Sequence, residues 1–191
     1  MRLRVHRTDG GTGTYRQADR RRAVMLALRL DPERMFRSGS IVIGVLNPFT
    51  VLNPDDVCWV AADGHPGLKV RMPAGVEHVR RLPSRAEYER ILDRQWPKWR
   101  RNARAKPGEF LEALGELSFR GGSALYLHVV GRVTRAPLVD RVFGTPAICA
   151  TYPPDGVIYV NPRTIVRARV YHSVPVVTYP ERLWIAEAEE I

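Results

Sequence analysis

The chain has 191 residues, 45% of them apolar, and a formal net charge of +10. That fills the core of one generous domain or two small ones, so a stable globular protein is expected. The longest apolar runs, 23–28 and 41–46, fall far short of the roughly 20 residues of a spanning helix, and the start Met1-Arg2-Leu3-Arg4 is charged where a signal peptide is apolar, which points to a soluble cytoplasmic protein without membrane insertion. Of the 30 basic residues all but Lys69, Lys98 and Lys106 are arginine. Positive potential steers phosphate polymers toward a surface, yet a coding bias toward arginine gives the same total, so local placement of charge carries more than the sum.

In chain order, Leu3 and Val5 alternate with Arg2, Arg4 and His6, the period of a half-buried strand. Asp9-Gly10-Gly11-Thr12-Gly13 supplies a turn, and the second half of 15–30 carries enough apolar residues behind its basic start to be a helix that stops at Asp31-Pro32. A short helical turn then leads to Phe36. Strands are expected near 40–46, 49–52 and 57–61, then a turn at 63–67 and a hairpin arm in which Leu68, Val70 and Met72 alternate with Lys69 and Arg71. Ser84 with Glu87 is a capping-box signature, and Tyr88, Ile91, Leu92 and Trp99 recur at helical spacing, with Pro97 expected to end or kink the helix. A second helix is predicted from near Pro107, carrying Phe110, Leu111, Leu114 and Leu117 and stopping at Gly121-Gly122. Strands return at 124–133, 147–150, 157–160 and 165–171.

Part of the sequence occurs twice. Arg34-Met35-Phe36, Ser40-Ile41-Val42-Ile43 and Val51-Leu52-Asn53-Pro54-Asp55-Asp56-Val57 reappear as Arg141-Val142-Phe143, Ala147-Ile148-Cys149-Ala150 and Tyr159-Val160-Asn161-Pro162-Arg163-Thr164-Ile165. The offset is 107 in the early part and 108 in the Asn-Pro part, as one residue gained in a loop would give. The expected fold is therefore α+β: two related β units, an internal duplication, separated by a helical insertion. The boundaries are 1–83 for an N-terminal β-rich unit with one helix, 84–122 for the basic helical insertion and 123–191 for a C-terminal β-rich unit, with one compact domain overall as the alternative.

No motif defines an active site. Gly10-Gly11-Thr12-Gly13 fits neither the dinucleotide fingerprint nor the P-loop and reads better as a hairpin turn. The histidines His6, His65, His78, His128 and His172 lack metal-ligand spacing, Asp55-Asp56 has Arg163 and Thr164 as its counterpart, Ser84 and Ser123 lack a nucleophile elbow, and Cys58 and Cys149 read as two buried thiols. No metal and no cofactor are expected. The strongest candidate is the run Trp96, Lys98, Trp99, Arg100, Arg101, Arg104 and Lys106, in which positive charges without a negative one sit beside two indoles. Arginine and lysine neutralise phosphates and exposed rings stack on unpaired bases, so the run suits nucleic acid or another polyanion. Indoles capping the core, with the arginines forming a solvated face or paired to Glu87, Glu89, Asp93 and the acidic end Glu187, Glu189 and Glu190, explain the same residues structurally. The preferred reading is a non-enzymatic binding protein. The alternatives are a structural or regulatory module that binds a protein partner through Trp59, Trp96 or Trp99, and an enzyme with a pocket between the β units.

Overall fold

A computed structural model describes residues 1–43, 49–64, 68, 70, 72, 75–101, 109–132 and 145–173. Its elements are β1 (Arg2–Arg7), β2 (Thr12–Arg16), α1 (Arg20–Arg29), α2 (Pro32–Met35), β3 (Ile41–Ile43), β4 (Thr50–Leu52), a 3-10 turn (Pro54–Asp56), β5 (Val57–Asp63), β6 (Val76–Arg81), α3 (Arg85–Trp99), β7 (Phe110–Phe119), β8 (Ala124–Arg132), β9 (Ile148–Tyr152), β10 (Gly156–Val160), a second 3-10 turn (Pro162–Thr164) and β11 (Ile165–His172). Among the described residues the strands form a nine-stranded sheet in the order β11-β7-β8-β6-β9-β10-β5-β1-β2 and a separate β3-β4 hairpin. Every ladder is antiparallel except that of β6 with β9. The chain is thus a mixed α+β protein, mostly sheet. No helix among the described residues is long and apolar enough to cross a membrane.

Burial explains where the strands lie. β5 reads Val-Cys-Trp-Val-Ala-Ala without alternation because both its faces are covered. Cys58, Trp59 and Ala61 join Leu117, Phe119, Leu125, Ile158 and Val160 in one core cluster. Val57, Val60 and Ala62 join Leu3, Val5, Leu30, Phe36 and Tyr159 in another. α1, capped by the Asp19 side chain accepting from the Arg22 N–H at 2.8 Å, closes over the second cluster with Ala23, Ala27 and Leu30 buried.

Several expectations are corrected. The second helix expected from near Pro107 to Gly121-Gly122 is replaced by a strand, Phe110–Phe119, paired with β8 on one side and β11 on the other. Leu111, Ala113, Leu117 and Phe119 are buried on one face and Leu114 on the other, and a strand apolar on both faces supplies helical spacings by accident. Among the described residues the connection between the β-rich parts is therefore β6 plus one helix, and α3 continues through Pro97 to Trp99, with the Arg100 N–H bonded to Trp96 O at 2.9 Å beyond the proline. β2 lies where a turn and the lead into a helix were expected, since Thr12–Arg16 completes a hairpin with β1. β6 carries only Val76 and Val79 among charged residues and left no strand signal. Of the expected hairpin arm at 68–72 only Leu68, Val70 and Met72 are described, half-buried against the core and in no strand, and the Arg141-Val142-Phe143 part of the repeat lies outside the described residues.

The β1-β2, β1-β5 and β3-β4 ladders have counterparts, pair by pair, in the β7-β8, β7-β11 and β9-β10 ladders. Arg2↔Arg16, Arg4↔Thr14 and His6↔Thr12 in the first hairpin correspond, 112 positions on, to Leu114↔His128, Glu116↔Tyr126 and Ser118↔Ala124. The β1-β5 ladder skips Cys58, and the β7-β11 ladder skips the matching Val166. Ile41↔Leu52 and Val42↔Val51 match Ile148↔Val160 and Cys149↔Tyr159. Even turn bonds agree: Arg7 N–H to Gly11 O and Phe119 N–H to Ser123 O are both 2.9 Å, and the Asn53 and Asn161 side chains each accept from the N–H two residues on at 3.1 Å.

The two asparagines differ in what else they hold. Asn161 is fully buried, and its Nδ2 donates to the carbonyls of Pro54 at 2.8 Å and Val57 at 3.1 Å, tying the second 3-10 turn to the first. Asn53 is exposed. Each loses a cap on truncation, about 1 kcal/mol, but Asn161→Ala also orphans two buried carbonyls at roughly 1–3 kcal/mol each. In urea titrations Asn161→Ala should therefore cost at least about 2 kcal/mol more than Asn53→Ala; equal losses would show that the link between the turns carries no weight.

Candidate functional site

α3 begins at Ser84, whose Oγ accepts from the Glu87 N–H at 3.2 Å. The capping box is only half formed, because the Glu87 carboxylate turns to Arg90 at 2.7 Å. The inner face places Tyr88, Ile91 and Trp99 against Leu82 and Leu114, with Leu92, Trp96, Tyr126 and Tyr171 partly buried around them. Burial pushes the Tyr88 phenol well above its ordinary pKa. Trp96 meets the Tyr171 ring edge-on, with centroids 5.0 Å apart.

This packing divides the candidate residues. Trp99 is 6% exposed and belongs to the core, where its indole has no free face for a base. Trp96 is half-buried, while Lys98, Arg100 and Arg101 are exposed at the helix end; Arg104 and Lys106 lie outside the described residues. Two of the acids that could have neutralised this end are committed elsewhere: Glu87 pairs with Arg90 and Glu89 with Arg85, each at 2.7 Å. Among the described residues Lys98, Arg100 and Arg101 form no ion pair. Cations at a helix C-terminus also offset the exposed carbonyls there, worth about 0.3–1 kcal/mol each. Trp99→Ala should cost about 3–5 kcal/mol of stability by thermal or urea unfolding, as loss of a core aromatic does, with Trp96→Ala costing less.

A second charged cluster, missed in the sequence, lies at one end of β1. Alternation puts Arg2, Arg4 and His6 on one face of that strand. Arg4 Nη2 donates to Asp63 Oδ2 at 3.2 Å and to Tyr152 Oη at 3.0 Å, Tyr152 Oη donates to Asp63 at 3.1 Å, and Arg2 donates to the same carboxylate at 3.1 Å. His6 stacks on Trp59, with centroids 4.0 Å apart, and its Nδ1 lies 3.0 Å from the Thr12 hydroxyl. Burial first, then the Arg4 charge, holds the half-buried Arg81 guanidinium below the usual arginine pKa. Burial and the Arg81 charge likewise lower His6. Two guanidinium groups, those of Arg2 and Arg4, thus share one carboxylate, and the Arg81 charge is felt by Arg4 and His6 beside them. The signal was present as Arg-x-Arg-x-His on a strand, but Asp63, Arg81 and Tyr152 reach it only through the sheet.

Burial opposes the Asp63 charge, but the Arg2 and Tyr152 hydrogen bonds and the charges of Arg2 and Arg4 outweigh it, so its pKa lies below the ordinary value. A depressed carboxyl stabilises the fold above its unfolded pKa, near 3.9, and that contribution is lost as pH falls through the lower folded value. The stability of Asp63→Asn should therefore fall less than that of wild type between about pH 4 and the folded pKa; parallel acid-unfolding curves would contradict this.

The remaining histidines do not form a reactive centre among the described residues. His128 Nε2 lies 2.8 Å from Glu112 Oε1, a diagonal cross-strand pair on β8 and β7, and His78 is exposed on β6. His65 lies outside the described residues. Asp55 faces Arg163 at 3.8 Å across the two 3-10 turns. Comparison of the chain with protein-family models, with curated proteins and with solved structures finds no match.

Proposed function

We propose that this is a non-enzymatic, cytoplasmic binding protein that holds a polyanion, nucleic acid in the first place, on the exposed end of α3. The observation that carries the reading is the unequal fate of charges along one helix. Arg85 and Arg90 are paired, whereas Lys98, Arg100 and Arg101 are exposed without a carboxylate partner among the described residues. Phosphates can be neutralised there without breaking an existing ion pair. Arg104 and Lys106 extend the same run of charge in the sequence. The indoles contribute support rather than stacking: Trp99 fixes the helix end against β7, and Trp96 covers Tyr171.

We also propose that residues 2–63 and 114–172 are two copies of one ancestral unit, with β6 and α3 inserted between them. The shared registers, the shared skipped residue and the shared turn bonds support this, because independent hairpins have no reason to agree at all of these points.

A labelled single-stranded oligonucleotide, titrated at several salt concentrations, tests the binding reading. Affinity should fall steeply with salt, and Lys98→Ala/Arg100→Ala/Arg101→Ala should flatten the slope by about 0.7 per lost phosphate contact. Arg85→Ala/Arg90→Ala, which removes paired charges, should change it little. Unaltered binding by the folded triple variant would reject the surface; a duplex titrated in parallel tells which form is preferred.

A further inference from the structure

The two halves of the fold have equivalent ladders but unequal surfaces. In the C-terminal half, the β9-β10 hairpin lays β10 along β5 of the other half, with Val157 opposite Ala62 and Tyr159 opposite Val60. That contact buries Cys149, Val157 and Tyr159 on the hairpin, and Cys58 and Ala62 on β5 are fully buried. The counterpart hairpin is β3-β4 and the counterpart of β5 is β11, the end strand of the sheet among the described residues. There the equivalent side chains are bare: Val42 is 56% exposed, Phe49 62%, Val51 55%, Val166 63% and Val170 37%. Five large apolar side chains are thus exposed at the five positions whose equivalents are buried where the halves meet, two on β11 and three on or beside β3-β4. Exposed apolar patches of this kind mark surfaces that a partner covers.

We propose that β4 of one copy pairs with β11 of a second copy in the register by which β10 pairs with β5, so that this protein is a twofold homodimer. The occupant is named by the chain itself: β11 is the surface equivalent to the one that β10 already pairs with. The missing contact is not made by rearrangement inside one chain, because the inner face of the hairpin, Ile41, Ile43 and Leu52, packs on the core around Phe36 and Val57. Swinging the hairpin away would expose that core. Two copies related by a twofold axis make the contact twice and leave neither surface open. In this register Phe49 stands opposite Val170 of the second copy, and Val51 opposite Ala168. The inference uses the equivalence of the ladders and not the polyanion surface, so a monomer would overturn it and leave the oligonucleotide titration unaffected.

Sedimentation of the full chain at micromolar concentration is expected to give two chains per particle. Phe49→Lys and Val170→Asp, both at exposed sites, should each give a folded monomer. An equimolar mixture of the two variants should then dimerise, because one pairing sets lysine opposite aspartate and the other keeps Phe49 opposite Val170. A monomeric wild type would overturn the proposal, as would variants that remain dimeric. So would two monomeric variants that fail to associate when mixed, which is the result expected if β4 and β11 meet within one chain.

Discussion

β5 is the strand on which the rest of the structure depends. It hydrogen-bonds to β1 of its own half and to β10 of the other, and it sends side chains into both main core clusters. Full burial of one such aliphatic side chain contributes about 1.5–3 kcal/mol, so a strand buried on both faces ties both halves to one cooperative core. The second 3-10 turn locks the same junction, with the Asn161 N–H bonded to Cys58 O at 2.9 Å. The β7-β8 turn lies against the β1-β2 turn as well, since a Cβ on Gly121, at φ +81°, would collide with the Thr8 carbonyl.

With the interior occupied in this way, charge is confined to the margins, and the margins differ. At the end of β1 the arginines are held by Asp63 and Tyr152, while buried Arg4 Nε and His6 Nε2 lack hydrogen-bond partners among the described residues. An unsatisfied buried donor is costly, so this cluster is a polar site held at some expense by the strands around it. At the end of α3 the charges are solvated and unpaired among the described residues. A diffuse anion is better met by the second arrangement, because neutralising an exposed guanidinium with a phosphate requires no ion pair to be broken.

The equivalence of the two halves extends well beyond the sequence repeat. The β1-β2 and β7-β8 hairpins share register at every described pair of the shorter one, yet their residues at the matching positions include Arg2 with Leu114 and Leu3 with Gly115. Backbone geometry persists there because the ladder needs only N–H and C=O groups and a turn glycine at positive φ, supplied by Gly10 and Gly122. The side chains at matching positions differ because the two hairpins face different neighbours.

By itself the sequence determined the strands with clear boundaries, the helix that begins after Ser84 and the matching Asn-Pro turns, since alternation, caps and turn chemistry are local properties. It also marked Lys98, Arg100 and Arg101 as a cluster, because they are adjacent in the chain. Tertiary structure alone decided the rest. Phe110–Phe119 has spacings that suit a helix or a strand, and only its two neighbours in the sheet select the strand. The weakly apolar β6 becomes a strand because β8 and β9 offer it a place. Trp99 and Trp96 looked alike in sequence, and packing against Leu114 buried one of them and left the other at the rim. Asp63, Arg81 and Tyr152 meet the arginines of β1 only because the sheet brings distant strands together, a juxtaposition that no local pattern encodes.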